Sequence, residues 1–402
     1  NKLPFVLAQI KNDSVIDKKW INNIYKQGNV YLKNHNPDYI AINPETRFTE
    51  KNKINNWKYL GNSLNIKPLH FNFLKDYQSS KRNQIFYNPI ANFNLYDGVS
   101  FGSKFYDKGI LAQKFTFELM PQYSSVNKNL VGKMNFSLLM HNENKNNYAT
   151  VFNFFASSYH YDEALRYQVF RPALSFYFRT DDFRLNSRHL LGIYYFDVRR
   201  EKTKDSNANP NYKVINLRHL YSNRGAIKHL TLDTNFQFAD KFSKVEFEFD
   251  IRRLLPSGSQ VTARFFIGKF LNHSSRQTNF FDFNLNRPQD YLFRYNYFGR
   301  SEDKGFYSQQ IVMAEGGFKS THSRATANDY LLSANITLGL WKWIEAYGEI
   351  GSLKNIREKV HTFFGSGIRL NIIPDYLELY FPFLSSNGWE INQENYERKI
   401  RF

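Results

Sequence analysis

KVEFEFDIRR (Lys244–Arg253) sets Val245, Phe247, Phe249 and Ile251 at every second position, with Glu246, Glu248, Asp250 and Arg252 between them. Strand side chains alternate between two faces, so this stretch predicts a strand with one greasy and one ionic face. The fold depends on what each face meets. A water-soluble sandwich turns its apolar face inward, whereas a membrane barrel turns that face to lipid and keeps the ionic one around a wet lumen.

The pattern recurs. LTLDTNFQF places Leu230, Leu232, Phe236 and Phe238 against Thr231, Asp233, Asn235 and Gln237. YLLSANITLGL sets Leu332, Ala334, Ile336 and Leu338 against Ser333, Asn335 and Thr337, and IEAYGEIGS sets Ile344, Ala346 and Ile350 against Glu345 and Glu349. From Gly98 onward there are roughly 12–16 such segments of about 9–14 residues, near the length of a tilted membrane strand and about twice the usual soluble one. Aromatic residues recur near segment ends: Tyr123, Tyr159, Tyr161, Phe242, Tyr330, Trp341, Trp343 and Tyr376. Such rings suit the two girdles of a barrel. The ionic faces carry both signs, with Asp233, Arg264, Glu345, Glu349 and Arg369 joining the four charges of the opening stretch. Charges of both signs on one face imply water or cross-strand partners.

Composition narrows the function classes. The 402 residues contain no cysteine, which excludes a disulfide scaffold, a thiol nucleophile and cysteine zinc sites. Aromatics reach 18%, with 39 Phe and 27 Tyr, a composition suited to strands and membrane interfaces. Lys+Arg 54 against Asp+Glu 36 gives a formal charge of +18, spread along the chain rather than gathered in one block. That distribution argues against a nucleic-acid partner and leaves two readings, anionic lipid or lipopolysaccharide at a membrane surface and an ordinary basic surface in water. No apolar run is long enough for a transmembrane helix. The chain starts at Asn1 without a leader pattern, as expected of a mature protein or of part of a longer one.

No catalytic signature is assigned. HExxH and GxxxxGK[ST] do not occur, and the ten histidines are scattered. No catalytic residue, metal ligand or cofactor is expected. EGGFKS (315–320) is predicted to be a turn, and Gly365 and Gly367 to relieve crowding in a strand. Short connectors are expected at 142–147 and 257–259, and long mobile ones at Arg200–Tyr212 and from Asn272 to about Thr326. Residues 1–60, with FVLAQI, SVIDKKWI and GNVYLKN, predict a β-sandwich remnant and linker ahead of a barrel over 61–402. Phe402 ends the chain as a candidate assembly signal.

INNWKYL, KPLHFNFLKDY, NQIFYNPIANFNLYDGVSFGSKFYDKG, FRYNYFGRSEDKGFYSQQIVMAEGGFKS and DYLELYFPFLSSNGWEI together resemble the C-terminal half of gluzincin, aminopeptidase-like metallopeptidases of Gram-negative bacteria. The resemblance implies an outer-membrane barrel that follows peptidase domains, with the zinc motif upstream of this sequence. The expectation is therefore an all-β, antiparallel up-and-down transmembrane barrel in the outer membrane. It would face lipid with Val245, Phe247, Phe249, Ile251, Leu230, Leu232, Phe236 and Phe238. It would face a lumen with Glu246, Glu248, Asp250, Arg252, Asp233, Arg264, Glu345 and Glu349. Its expected role is to anchor a peptidase module or other membrane-complex subunits; the alternative is a channel or transporter with a charged lumen.

Overall fold

Period-two alternation, aromatic and β-branched residues, and polar turns between them leave little but strands for this chain to form. The computed structural model describes residues 4–22, 28–47, 50, 53–74, 78–109, 113–142, 146–182, 184–201, 211–274, 281–286, 315–323, 325–373 and 376–401. It divides into two compact units: Asn1–Ala91 with Phe101–Tyr123 and Lys133–Leu138, and Asn92–Ser100 with Ser124–Gly132 and Leu139–Phe402.

In the first unit, β1 (Phe5–Lys11), β2 (Ser14–Ile21), β3 (Tyr39–Ile42) and β4 (Trp57–Tyr59) make one antiparallel sheet in the order β2-β1-β3-β4. Val6, Ala8, Ile10, Ile21 and Ala41 are its buried apolar side chains. Among the described residues, this single sheet is what residues 1–60 form.

The large sheet begins with β5 (Leu69–Phe73), which runs parallel to β6 (Asn83–Asn94). It continues with β7 (Gly98–Tyr106), β8 (Phe115–Ser124), β9 (Leu130–His141), β10 (Asn147–Asp162), β11 (Leu165–Arg179), β12 (Ser187–Arg200) and β13 (Tyr212–Arg224). Then come β14 (Lys228–Ala239), β15 (Phe242–Leu254) and β16 (Gln260–His273). The pair β17 (Phe283–Asn284) and β18 (Thr326–Ala327) stands apart as a small ribbon. β19 (Tyr330–Trp341), β20 (Ile344–Lys354), β21 (His361–Ile373), β22 (Leu377–Ser385) and β23 (Gly388–Trp389) complete the series. Hydrogen bonds join the large sheet in the order β10-β11-β12-β13-β14-β15-β16-β19-β20-β21-β22-β23-β5-β6-β7-β8-β9, which closes on itself as a barrel. From β10 to β22 each strand pairs antiparallel with its neighbour in the chain, β17 and β18 excepted. The fold is thus the all-β, up-and-down antiparallel barrel expected from the alternation. β10 reaches 16 residues, beyond the expected length.

Both long connectors, residues 201–211 and 274–329, join strands at the same end of the second unit. Strict alternation of short and long connectors fails there. Glu163–Ala164 and Asp240–Lys241 close the hairpins β10–β11 and β14–β15 at that same end with two residues each. In the first of these turns Ala164 adopts φ 53°, a left-handed conformation uncommon for a residue that carries a Cβ. At the other end Gly258, φ 82°, closes β15–β16.

Candidate functional site

Register partners make the faces explicit. Leu232, Phe249, Phe265, Ala334, Ile350 and Phe364 lie side by side across six neighbouring strands. One residue along, the row is Thr231, Asp250, Arg264, Asn335, Glu349 and Gly365. Phe265 is 43% exposed and Ile350 56%, whereas Arg264 is 7% and Glu349 5% exposed. Burial is therefore inverted relative to a water-soluble sheet, in which charged side chains are almost never buried and large apolar ones seldom form the open face.

The residues singled out by sequence follow this division in varying degree. Phe236, Phe238 and Phe247 are exposed, while Val245, Phe249, Ile251, Leu230 and Leu232 are half-buried. Glu246, Arg264, Glu345 and Glu349 are buried, and Glu248, Asp250, Arg252 and Asp233 half-buried. Phe402 lies outside the described residues.

The buried charges are held by partners on neighbouring strands. Arg264 donates from Nη2 to Glu248 Oε2 at 2.7 Å and from Nη1 to Asn335 Oδ1 at 3.3 Å. Arg218 makes a forked pair with Asp233, with Nε–Oδ1 at 2.9 Å and Nη2–Oδ2 at 2.5 Å. Gln237 Nε2 donates to Glu246 Oε1 at 2.9 Å, and Lys244 Nζ lies 3.3 Å from the same oxygen. Arg369 pairs with Glu345 at 3.4 Å and also with Glu378, and Asn371 Nδ2 donates to Glu345 Oε1 at 2.9 Å. Apart from Lys244–Glu246, which lies within β15, these are the cross-strand pairs that mixed signs on one face foreshadow.

The largest departure from expectation concerns the connector from Asn272 to about Thr326. Its described parts are packed onto the polar face. Phe281, Phe283, Leu285, Phe318, Ala325 and Ala327 are buried, in one cluster with Phe242, Phe266 and Phe270 of β15 and β16. Leu331 of β19, Leu353 of β20 and Tyr167, Val198 and Val214 of β11–β13 belong to the same cluster. Phe242, expected in a membrane girdle, is thus a core residue. The reason is positional: Phe242, Lys244 and Glu246 share one face, and its end nearest the long connectors is apolar. The face that alternation marks as ionic is ionic over only part of its length.

Glycines make the approach of this covering segment feasible. A Cβ on Gly268 would lie 2.7 Å from the Phe283 ring. On Gly351 it would lie 2.9 Å from Leu285 Cδ2 and 3.0 Å from the Phe318 ring. EGGFKS does turn, but it turns against the strands. Gly317 has φ 69°, and a Cβ there would meet Arg264 Nη1 at 2.7 Å. Arg264 Nη2 donates to the Glu315 carbonyl at 2.8 Å, and the Lys319 amide donates to Glu349 Oε1 at 2.9 Å. Lys319 Nζ lies 3.5 Å from Glu349 Oε2 and over the Tyr380 ring at 5.1 Å. Burial pushes the Glu315 carboxyl up to about 7, although nearby Lys244 pulls it down. Burial also lowers the Lys319 ammonium, against the pull of Glu349. The signal for this packing was present in the sequence, as Phe281, Phe283 and Leu285 alternate within the supposed loop.

On the short-turn side of this segment the polar face borders an open cavity of about 390 Å³. Asp250, Arg252, Arg264, Lys319, Arg369 and Glu378 are among its walls. Ile251, which alternation assigns to the other face, also borders it. One motif escaped the sequence reading: GVSFG (98–102) spells the GxSxG of hydrolase nucleophile elbows. Ser100 is buried inside β7, with no strand-to-helix turn, so the elbow's geometry is lacking. No group of three His, Cys, Asp or Glu side chains that could hold a metal occurs among the described residues.

No protein-family model and no curated protein matches this chain. Among solved structures it is similar to BamA from Haemophilus ducreyi lacking POTRA domains 1–3, with a TM-score of 0.41 and 11% sequence identity. The match covers 75% of this chain and 66% of that one.

Proposed function

We propose that this chain is an integral outer-membrane β-barrel whose interior is occupied by its own β16–β19 connector, and that it serves as an anchor or platform rather than an open channel. The observation that carries this reading is the inverted burial: the row through Phe249, Phe265 and Ile350 is open, and the row through Asp250, Arg264 and Glu349 is covered. In this reading Val245, Phe247, Phe249, Ile251, Leu230, Leu232, Phe236 and Phe238 meet lipid. Glu246, Glu248, Asp250, Arg252, Asp233, Arg264, Glu345 and Glu349 face the interior. Lipid stabilises the apolar face, and a closed sheet satisfies its backbone hydrogen bonds internally. The packing of Phe283, Leu285 and Phe318 against strand residues favours a plugged interior over the transporter alternative.

The finer role, as platform for a zinc-peptidase module or other membrane-complex subunits, rests on the sequence resemblance alone. Extraction that requires detergent, and heat-modifiable gel migration, test the membrane assignment; full solubility without detergent would defeat it. Planar-bilayer recordings test the plugged state. A silent barrel is expected, and steady wild-type conductance would restore the channel reading. Co-purification of a metallopeptidase, or an HExxH on the same polypeptide, would support the peptidase role.

A further inference from the structure

Two histidines interrupt the open apolar face. The row through Leu232, Phe249 and Phe265 continues across β13 and β12 as Tyr221 and His189, and on to Phe178 of β11. In the next row of the same face, Leu191, His219, Thr234 and Phe247 are register partners. His189 Nδ1 and His219 Nε2 face each other at 3.1 Å. Their ring planes are 16° apart with centroids at 5.4 Å, so the rings meet end-on, nitrogen to nitrogen. Tyr221 flanks His189 with 4.8 Å between ring centroids.

An ionisable group on an apolar membrane face is costly, and such groups mark binding sites and ion paths. His189 is two residues from Ser187, the short-turn end of β12. At about 3.4 Å per residue and a tilt near 40° that is about 5 Å along the membrane normal, within reach of ions in headgroup water.

The spacing of the two nitrogens matches a shared ion. Imidazole nitrogens bind transition metals at about 2.0–2.1 Å. Two of them on one ion are about 2.9 Å apart at a right angle and about 3.3 Å apart at the tetrahedral angle, and 3.1 Å lies between these limits. A swing of about 35° in each ring converges both lone pairs on one tetrahedral ion. His189 is exposed and His219 half-buried, so neither ring is locked by packing. The ring that donates the present hydrogen bond moves its proton to its other nitrogen, and two neutral imidazoles then supply both lone pairs. The register partners of the pair are Phe178, Tyr221, Leu191 and Thr234, none of them a carboxylate. Calcium and magnesium, which need several oxygen ligands, are therefore disfavoured.

We propose that His189 and His219 form a cross-strand binding site for a divalent transition-metal ion with imidazole preference, Zn²⁺, Cu²⁺ or Ni²⁺, its remaining positions taken by water. The donor pair stands on register and ring geometry. Its place at the membrane border rests on the lipid-facing reading, whose failure is read separately by detergent-free extraction.

The test is Zn²⁺ titrated calorimetrically into the full, tag-free chain in detergent after removal of metal by a chelator. Saturable binding is expected. His189→Asn and His219→Asn should each weaken it about tenfold or more, while His141→Asn, at the exposed end of β9, should leave it within twofold. Paramagnetic resonance of the Cu²⁺-loaded protein gives a second readout, with coupling to two imidazole nitrogens in the wild type and to one in either variant. Heat-modifiable migration checks that each variant is folded. No heat with wild-type protein, unchanged affinity in either variant, an equal loss in His141→Asn, or a wild-type Cu²⁺ spectrum in the variants would overturn the proposal.

Discussion

Phe265→Arg separates lipid from water at the open face. Phe265 lies five residues into β16 from its short-turn end at Gln260. At about 3.4 Å per residue that is about 17 Å along the strand, or roughly 13 Å along the membrane normal for a tilt near 40°. An apolar band about 25 Å tall has its midplane at nearly that height. An arginine there should cost about 2–4 kcal/mol of folding stability in a bilayer. Leu338, the register partner of Val261 one residue from the same end and equally exposed at 44%, sits near the interface. Leu338→Arg should cost only about 0–1 kcal/mol. In a water-soluble protein both are surface substitutions, worth within about 0.5 kcal/mol of zero. Equilibrium unfolding from lipid vesicles, followed by tryptophan fluorescence and gel migration, measures both. Equal costs for the two variants, or none for Phe265→Arg, would refute the lipid assignment of the row through Phe249, Phe265 and Ile350.

Glu349→Gln leaves the buried Lys319 ammonium without its carboxylate and should destabilise the chain by about 3–5 kcal/mol; Lys319→Met/Glu349→Leu should recover most of that loss in denaturant titrations. Gly351→Val drives side-chain atoms into Leu285 and Phe318, so hydrogen exchange of peptides spanning 315–323 should rise while β10–β14 peptides stay protected. Glu315 supplies a pH dependence, because its carboxyl is raised from 4.5 to about 7, chiefly by burial. The folded state then holds the proton more tightly than the unfolded one. The stabilisation is full below about 4.5 and is lost as pH rises through 7, by up to about 3 kcal/mol. Exchange in 315–323 should accordingly be slower at pH 5 than at pH 8, and Glu315→Gln should flatten that difference.

Alternation alone was enough to identify the strands, because a period of two needs no partner to be visible. Mixed signs on the ionic face also foreshadowed cross-strand pairs such as Arg264–Glu248 and Arg369–Glu345. The pattern misled at Phe242, expected in a girdle, and left the cover over Phe266 and Phe270 unread. These residues share the face of Lys244, Glu246 and Arg264, and period-two patterning assigns a face without saying what covers each part of it. That information lies in a different segment. Phe283, Leu285 and Phe318 provide an apolar cover, and Gly268 and Gly351 make room for it. A short apolar run inside a polar connector, and a glycine in mid-strand, are each ambiguous when taken alone. Their joint meaning appears only when register brings β16 and β20 alongside the segment.

The interior face therefore has two solvents along its length, and this bears on function more than the outer face does. Near the long connectors it meets aromatic side chains. Further along, Arg264, Asn335 and Glu349 hold the turn at 315–320 through its backbone. Beyond that turn the face borders the cavity of about 390 Å³ lined in part by Arg224, His229 and Arg252. An open channel would carry polar lining from end to end, which the aromatic part of this face does not offer. Among the described residues, apolar packing on one side of the turn and paired charges on the other divide this face into two parts of different polarity.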